Sequence, residues 1–264
     1  MVDHLAVFAR VSHDGHVAFA RRDGDRAEIL DGAPWEGGRP TGREVPFSDC
    51  QLLAPCEPTK IVCVGLNYRA HVAESVTVVP GGGETPSEPL IFLKPPSAVL
   101  APGQPIVYPR GVTRLDPEAE LAVVIGRRAR RVDAEHAMDY VAGLTGFNDV
   151  SARNYQRADG QWTRAKGFDT FAPLGPHLVM GLSPAKLEVE CRVNGERRQL
   201  GNTSDLLFAV PALIAHISRI MTLEPGDVIA TGTPAGVAPV EPGDRIEIEV
   251  EGVGILANPV VSES

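Results

Sequence analysis

The chain has 264 residues, of which 43% are hydrophobic and only 5% aromatic, with 27 glycines and 23 prolines. This composition predicts a turn-rich protein of small aliphatic strands rather than a helical bundle, and the length suits one large domain or a main domain with a small appendage. The formal net charge of -9 argues against nonspecific binding to nucleic acid and against a basic membrane-binding face.

The four cysteines, Cys50, Cys56, Cys63 and Cys191, show neither metal-type spacing nor the density of a disulfide framework. We expect reduced, mostly buried thiols. The N-terminal residues lack the charged and apolar regions of a signal peptide, and no apolar run approaches the length of a membrane span. The sequence therefore predicts a cytoplasmic protein with neither a membrane nor a nucleic-acid partner.

The first residues predict a small β appendage. Residues 4–30 alternate short apolar runs with the turn-forming dipeptides Asp14-Gly15 and Asp23-Gly24, which indicates a three-stranded meander. Residues 31–58 are rich in glycine and proline with little periodicity, as in a surface linker. We therefore expect a boundary near Thr59, with an appendage and linker over residues 1–58 and the main domain over residues 59–264.

A short polar segment follows the first strand of the main domain. Residues 60–65 form a buried-strand pattern, and His71 and Glu74 come next, three residues apart. On a helical turn this spacing puts both on one face, where the carboxylate could orient the imidazole as a general base. A capped short helix with two surface residues explains the same pattern and is preferred from these residues alone.

A glycine- and proline-rich excursion, residues 76–88, separates this segment from the next strand. Its composition fits either a lid over a site or a disordered loop. The following apolar run, residues 90–94, ends in Lys94, which is either an anion contact or a side chain that reaches to solvent.

Two glutamates, Glu118 and Glu120, precede an apolar strand pattern over residues 121–125. On a strand they point the same way with Cα atoms ~6.5 Å apart, close enough to converge on one small cation. Oxygen ligands favour Mg²⁺ or Mn²⁺, whereas the alternative is a solvated acidic strand end. Residues 141–147 predict another strand, which delivers Asp149 as a candidate third ligand.

The C-terminal part supplies a hairpin, a helix and a polar turn. Asn194-Gly195 is the strongest turn signal in the chain, and helical spacing of apolar residues over 206–220 is interrupted by Pro211, which implies a kink or a late start. The turn over residues 231–236 is rich in glycine and threonine and can aim N–H groups and hydroxyls at a carboxylate. It lacks the Gly-Lys-Ser/Thr ending of a phosphate-binding loop.

Taken together, these stretches resemble the fumarylacetoacetate hydrolase family, in order, from about residue 60 to residue 259. The resemblance is carried by six segments, each weak alone. They are Val64-Gly65-Leu66-Asn67-Tyr68-Arg69-Ala70-His71, Phe92-Leu93-Lys94-Pro95, Glu118-Ala119-Glu120-Leu121, Asn148-Asp149-Val150-Ser151-Ala152-Arg153, Trp162-Thr163-Arg164-Ala165-Lys166-Gly167-Phe168-Asp169 and Thr231-Gly232-Thr233-Pro234-Ala235-Gly236.

The resemblance implies an α+β, mainly β fold with a rolled, mixed β-sheet, usually dimeric. It implies Mg²⁺ or Mn²⁺ held by Glu118, Glu120 and Asp149. The sequence departs from the pattern in having Asp116 where several relatives carry a histidine, and in a longer excursion over residues 76–88. Both departures bear on substrate choice and lid closure more than on metal binding.

The resemblance also implies a reaction. The leading hypothesis is hydrolysis of a carbon–carbon bond in a 2,4-dioxo acid such as fumarylpyruvate or acetylpyruvate, with His71 and Glu74 activating water. Oxaloacetate decarboxylation and tautomerisation of a 2-hydroxy-diene dioate are alternatives at the same site. A noncatalytic metal-dependent binding protein is a further one.

Five more residues receive roles in this hypothesis. Lys166 and the turn carrying Gly232 and Thr233 would hold a substrate carboxylate or a developing oxyanion. Gln156 would donate to the oxyanion, and Arg153 would support the site or bind substrate.

Overall fold

The computed structural model describes residues 5–74 and 85–264. Nineteen strands make up most of the regular structure in these two ranges. In chain order they are β1 (Ala6–His13), β2 (His16–Asp23), β3 (Arg26–Leu30), β4 (Pro40–Pro46), β5 (Gln51–Leu53), β6 (Ile61–Gly65), β7 (Leu90–Lys94), β8 (Val99–Leu100), β9 (Ile106–Tyr108), β10 (Leu115–Asp116), β11 (Ala119–Ile125), β12 (Val141–Asn148), β13 (Ser151–Ala152), β14 (Ala172–Met180), β15 (Glu188–Val193), β16 (Glu196–Asn202), β17 (Val228–Ala230), β18 (Arg245–Val250) and β19 (Gly254–Ser262).

The helices are short. The α-helices of the described chain are α1 (Arg69–Glu74), α2 (Arg153–Asp159), α3 (Thr163–Lys166) and α4 (Val210–Ile220). Short 3₁₀ helices lie at Pro34–Glu36, Phe47–Asp49, Pro96–Ala98, Ala134–Tyr140 and Thr203–Asp205. None of the helices in residues 5–74 and 85–264 combines the length and the apolar character needed to cross a membrane. The expected mainly β architecture is confirmed.

The largest sheet contains twelve strands. Its main path runs β4-β3-β2-β1-β14-β12-β11-β17-β6-β7, with β5 beside β1 and β8 beside β14. Most neighbours are antiparallel, but the β6–β17 and β8–β14 pairs are parallel, so the sheet is mixed as expected. A second sheet of five strands, ordered β16-β15-β18-β19-β9, and the short pair β10–β13 complete the topology.

The core lies on both faces of β11, which is buried along its whole length. Leu121, Val123 and Ile125 join one apolar cluster, which also contains the inward side chains of β15 and β18. Ala122 and Val124 join a second cluster on the opposite face. Two-sided burial explains why the sequence of β11 is a continuous apolar run rather than an alternating one.

The predicted N-terminal meander is confirmed as β1, β2 and β3. Its strand β1 pairs antiparallel with β14, so the meander extends the main sheet. The placement of a domain boundary at Thr59 stays a prediction.

Residues 31–58, predicted as a surface linker, contain regular structure. This segment contains β4, which pairs with β3, and β5, which pairs with β1. Hydrogen bonding to strands already in the sheet orders a segment whose own glycines and prolines favour turns.

The hairpin signal at Asn194-Gly195 is confirmed. Both residues have positive φ (54° and 79°), as the two central residues of a tight hairpin turn require, and they join β15 to β16. Pro211 lies in the first turn of α4, so the late helix start is confirmed. Proline is accepted there because the first N–H groups of a helix have no intrahelical acceptor.

Four strand ends meet at one edge of the large sheet. Since β6 and β17 are parallel, their C-terminal ends lie side by side, and antiparallel β11 begins beside them. The last residue of β12, Asn148, pairs with the first of β11, Ala119. The polar segments that follow β6, β12 and β17, and the one that precedes β11, are therefore brought together.

Candidate metal centre and active site

Three carboxylates converge at this edge. Glu118 stands immediately before β11, Glu120 is the second residue of the strand, and Asp149 follows β12. One oxygen from each lies within 4.8 Å of the others, and the three residues are at most 4% exposed. The Asp149 N–H donates to the Glu118 carbonyl at 2.9 Å, which ties the two segments together. The predicted convergence is confirmed, and the alternative of a solvated acidic strand end is wrong.

Lysine and arginine side chains surround the carboxylates. Lys166 Nζ, from α3, lies 2.7 Å from Glu118 Oε2 and 2.6 Å from Asp149 Oδ2. Lys94 Nζ, at the end of β7, lies 2.5 Å from Asp149 Oδ1 and 3.1 Å from the Val150 carbonyl. Lys94 is therefore buried and forms an ion pair with Asp149, a candidate metal ligand.

Arg153 forms the other side of this network. Its guanidinium donates to Glu118 Oε1 at 2.6 Å, to Asp116 Oδ2 at 2.8 Å and to Gln156 Oε1 at 2.8 Å. Asp116 also accepts two hydrogen bonds from Arg114. Asp116, which departs from the family pattern, is thus bound to two arginines, and it holds Arg153 against Glu118.

The two glutamates differ in their electrostatic environment. Burial by itself raises the pKa of Glu118, but Lys166 and Arg153 outweigh it and lower that pKa well below the usual range. Burial raises the pKa of Glu120, and the charges of Asp149 and Glu118 raise it further. Glu120 has no ion-pair partner in the described chain, and its Oε2 accepts the Gly232 N–H at 2.8 Å.

The donor set fits a hard divalent cation. It consists of carboxylate oxygens only, which suit Mg²⁺ or Mn²⁺. A buried carboxylate such as Glu120 is costly to keep ionised without a positive partner, and a cation between the three oxygens would supply one. The residues present therefore match the cation expected from the sequence.

A histidine and a glutamate form a pair beside the carboxylates. His71 Nδ1 lies 3.3 Å from Glu74 Oε2, both on α1, and His71 is 6% exposed. Burial opposes ionisation of Glu74, but the contact with His71 and the Gly236 N–H outweigh it and lower the pKa of Glu74. A carboxylate can only accept, so Nδ1 carries the proton that points to Glu74. The predicted side-by-side placement is confirmed.

The polar turn after β17 donates hydrogen bonds to residues of β11. The N–H of Gly232 reaches Glu120, and the hydroxyl of Thr233 donates to the Ala119 carbonyl at 2.8 Å. Gln199, from β16, accepts from the Ala119 N–H through Oε1 and donates through Nε2 to Thr233 Oγ1 and the Pro234 carbonyl. These two backbone partners determine the orientation of the Gln199 amide.

The cavity above the carboxylates is small and partly aromatic. Its volume is about 20 Å³, room for about one water molecule. His71, Arg153, Gln156, Lys166 and Thr233 line it together with Phe92, Trp162 and the apolar residues at the end of β6. Gly65 allows the Trp162 ring to lie against the strand end, because a Cβ there would lie 2.9 Å from the ring.

The sequence predicts Lys94 as either an anion contact or a side chain that reaches to solvent, and the structure shows it on the buried carboxylate of Asp149. The sequence prediction missed one residue of this network. Gln199 gave no signal, because it reaches the site from the second sheet. The excursion over residues 76–88, interpreted as either a lid or a disordered loop, lies for the most part outside the described ranges.

Comparison with known proteins identifies the family. A protein-family model described as fumarylacetoacetate (FAA) hydrolase C-terminal matches residues 60–261, and a second, described as Rv2993c-like, N-terminal, matches residues 8–55. The chain belongs to the fumarylacetoacetate hydrolase family. The predicted family is thus confirmed, and so is the fold type that it implies.

Two curated members of the fumarylacetoacetate hydrolase family illustrate the similarity. Protein Rv2993c of Mycobacterium tuberculosis is 47% identical over 96% of this chain and 97% of its own length. The mitochondrial oxaloacetate tautomerase FAHD2B of Bos taurus is 44% identical over 82% of this chain and 71% of its own length.

Two solved structures of the family cover nearly the whole chain. The 2-hydroxyhepta-2,4-diene-1,7-dioate isomerase from Mycobacterium marinum is 43% identical, with a TM-score of 0.89 over 98% of this chain and 99% of that one. A maleylpyruvate hydrolase from Sphingobium sp. SYK-6, solved in complex with manganese(II) and pyruvate, is 31% identical. Its TM-score is 0.78 over 98% of this chain and 100% of that one. The family thus includes hydrolases and isomerases, which supports an enzymatic role here.

Proposed function

We propose that this protein is a metal-dependent hydrolase that cleaves a carbon–carbon bond in a 2,4-dioxo acid, an acylpyruvate, and releases pyruvate. The observation that carries the proposal is that His71, oriented by Glu74, opens into the same cavity as three buried carboxylates. The maleylpyruvate hydrolase described above, bound to manganese(II) and pyruvate, supports both the reaction class and the metal.

Glu118, Glu120 and Asp149 would hold Mg²⁺ or Mn²⁺. A divalent cation at that position would polarise the 2-oxo carbonyl of the substrate and stabilise negative charge on the departing pyruvate unit. The protein contributes by holding Glu118 in place through Arg153, Asp149 through Lys94 and Glu120 through the Gly232 N–H.

His71 activates water. Because its Nδ1–H points to Glu74, Nε2 is the nitrogen that takes a proton from water, and the negative charge of Glu74 stabilises the imidazolium that forms. The hydroxide adds to the distal carbonyl carbon, and the bond between that carbon and the adjacent methylene then breaks. The acyl half leaves as a carboxylic acid and the other half as the enolate of pyruvate. His71 returns its proton to the enolate carbon.

The remaining cavity residues bind the substrate. Lys166 and Arg153 carry positive charges suited to a 2-oxo carboxylate, and Gln156 is placed to donate an amide hydrogen to the developing oxyanion. Gly232 and Thr233 are also assigned to substrate binding. Because their N–H and hydroxyl hydrogens already reach Glu120 and Ala119, they act by shaping the cavity and positioning Glu120.

A second candidate is tautomerisation or isomerisation of a 2-oxo or 2-hydroxy diacid at the same site. It is favoured by sequence similarity, since the oxaloacetate tautomerase and the diene-dioate isomerase are 44% and 43% identical to this chain, against 31% for the maleylpyruvate hydrolase. In that reaction His71 would transfer a proton between two atoms of the substrate, and no water would be consumed.

An absorbance assay separates the two candidates. Purified protein with Mg²⁺ or Mn²⁺ is tested on acetylpyruvate, fumarylpyruvate and maleylpyruvate, with enol-oxaloacetate alongside and His71→Ala as a matched control. Loss of the dioxo-acid absorbance with equimolar pyruvate release, abolished by a chelator and by the substitution, supports the hydrolase. Unchanged acylpyruvates together with accelerated ketonisation of oxaloacetate would replace it by the tautomerase.

We also propose a homodimer, which the family resemblance implies, and a cytoplasmic location, which the unpaired cysteines favour. Light scattering on the purified protein tests the homodimer. A mass of one chain, 28.1 kDa, would rule the dimer out.

A further inference from the structure

Each of the three carboxylates has one oxygen bound by a fixed donor of the protein. Glu118 Oε1 accepts from Arg153 at 2.6 Å, Glu120 Oε2 from the Gly232 N–H at 2.8 Å, and Asp149 Oδ1 from Lys94 at 2.5 Å. These donors are buried, and Arg153 and Lys94 have further partners that hold them in place. One oxygen of each carboxylate is thereby oriented by the fold.

The second oxygens of the three carboxylates have different partners. Lys166 Nζ bridges two of them, Glu118 Oε2 and Asp149 Oδ2. The third, Glu120 Oε1, accepts no hydrogen bond within the described residues. Lys166 therefore differs from the other donors, because its ammonium takes the oxygens that a cation bound by all three carboxylates would also take.

We infer that Lys166 is an exchangeable cation, which gives up Glu118 Oε2 and Asp149 Oδ2 when a divalent metal binds and then presents its ammonium to the anionic substrate. This inference rests on the metal site of the proposed function and assigns Lys166 a role that precedes substrate binding. Arg153 and Lys94 stay in place through the exchange.

The reason for exchange is electrostatic. A bound Mg²⁺ or Mn²⁺ lies about 2.1 Å from its oxygen ligands, so an ammonium kept on the same two atoms would lie within a few ångströms of the divalent charge. Repulsion at that distance in a buried site is large. The cavity offers the ammonium a place to move, because Lys166 lines it and its Nζ lies 5.1 Å from the centre of the Phe92 ring on the cavity wall.

The arrangement couples metal binding to anion binding. Without a metal, Lys166 compensates the charges of Glu118 and Asp149, which stabilises the empty site. With a metal, the same ammonium is released to the cavity, where a 2-oxo carboxylate is the anion to be bound. Substrate would therefore bind productively only after the metal.

Lys94→Met provides a matched control. Like Lys166→Met, it removes one positive charge in contact with the Asp149 carboxylate. Mn²⁺ affinity is measured by isothermal titration calorimetry, without substrate, for the wild type, Lys166→Met and Lys94→Met. Removal of a competing ammonium should raise the Mn²⁺ affinity of Lys166→Met about tenfold or more, and clearly above that of Lys94→Met. Equal gains would mean that net charge alone acts and would overturn the inference, as would weaker binding by Lys166→Met.

A crystal structure of the wild type with Mn²⁺ gives a readout that needs no variant to fold. We expect Lys166 Nζ beyond hydrogen-bonding distance of at least one of the two oxygens, with Lys94 and Arg153 unmoved. Nζ still bonded to both oxygens beside a bound ion would overturn the exchange alone. Absence of Mn²⁺ binding in all three proteins would overturn the proposed metal-dependent function together with it.

Discussion

At the scale of single residues, the site is a cluster of acidic and basic side chains in which one acid has no ionic partner. Four acids, Asp116, Glu118, Glu120 and Asp149, lie beside three bases, Lys94, Arg153 and Lys166, and all seven are at most 4% exposed. The half-exposed Arg114 adds a fourth base, which pairs with Asp116. Glu120 is the acid without an ionic partner in the described chain, so burial raises its pKa, and a bound cation would favour its ionised form.

This difference between Glu118 and Glu120 predicts unequal effects of the same substitution two residues apart. Glu118→Gln leaves Lys166 and Arg153 with a missing partner and should cost about 3–5 kcal/mol of unfolding free energy. Glu120→Gln keeps an acceptor for the Gly232 N–H and breaks no ion pair, so the metal-free protein should melt at or above the wild-type temperature. Both variants should lose Mn²⁺ affinity. Thermal melts with and without Mn²⁺ test this, and equal melting temperatures of the two metal-free variants would contradict it.

His71 carries the proton transfer in the proposed reaction. His71→Ala should lower kcat for acylpyruvate hydrolysis by about 10²–10⁴-fold, the usual contribution of a general base. Glu74→Gln should have a smaller effect, because the amide still orients the ring but no longer stabilises the imidazolium. Steady-state rates of pyruvate release measure both. A His71→Ala variant with wild-type kcat would remove His71 from the mechanism.

At the scale of elements, the site exists because strand ends of the mixed sheet meet. The parallel pair β6–β17 puts α1 beside the turn that follows β17, and the Gly236 N–H of this turn holds Glu74 at 3.1 Å. The same turn holds Glu120 through Gly232. One turn therefore sets the distance between the candidate base pair and the carboxylates.

Thr233 tests the role of this turn. Its hydroxyl donates to Ala119 and accepts from Gln199, so we expect a structural role that a smaller hydroxyl can also fill. Thr233→Ser should retain kcat within a few-fold, whereas Thr233→Val removes the hydrogen bonds to the Ala119 carbonyl and from the Gln199 amide and should cost about 1–3 kcal/mol. Urea unfolding and steady-state kinetics separate the two effects. A large loss of kcat in a stable Thr233→Ser variant would instead favour direct substrate contact.

At the scale of the whole molecule, the N-terminal segment contacts β14 through side chains as well as through the pairing of β1 with β14. His177, on β14, lies between Arg22 and the Val253 carbonyl, and the Phe47 ring is 5.9 Å from its own. Arginine only donates and a carbonyl only accepts, so this geometry requires a neutral imidazole. Burial and the charge of Arg22 accordingly lower the pKa of His177 below 6.5.

This histidine predicts a pH-dependent stability. In the unfolded chain His177 titrates near its ordinary value, so between the folded pKa and 6.5 the unfolded state binds more protons. The unfolding free energy should therefore fall as the pH drops below 6.5, with a slope of at most about 1.4 kcal/mol per pH unit from this group. Urea unfolding at pH 7.5, 6.5 and 5.5 measures the slope. His177→Gln should show a shallower one, and identical slopes would show that another group is responsible.

Local patterns determined several features of this protein from the sequence alone. The Asn194-Gly195 hairpin, the late start of α4 and the meander β1–β3 follow from turn chemistry and periodicity, which act over a few residues. The acid pair Glu118 and Glu120 was readable for the same reason, since alternation along an extended chain puts both side chains on one side. The family followed from six short segments in order.

Only the tertiary structure decided which distant groups meet. The attachment of β1 to β14, the pairing of Lys94 with Asp149 and the reach of Gln199 to Thr233 join residues between 34 and 174 positions apart in the sequence. A local pattern carries no information about such contacts, because sheet register and strand order are set by burial of the whole core. Likewise, the raised pKa of Glu120 arises only when four strand ends exclude water together.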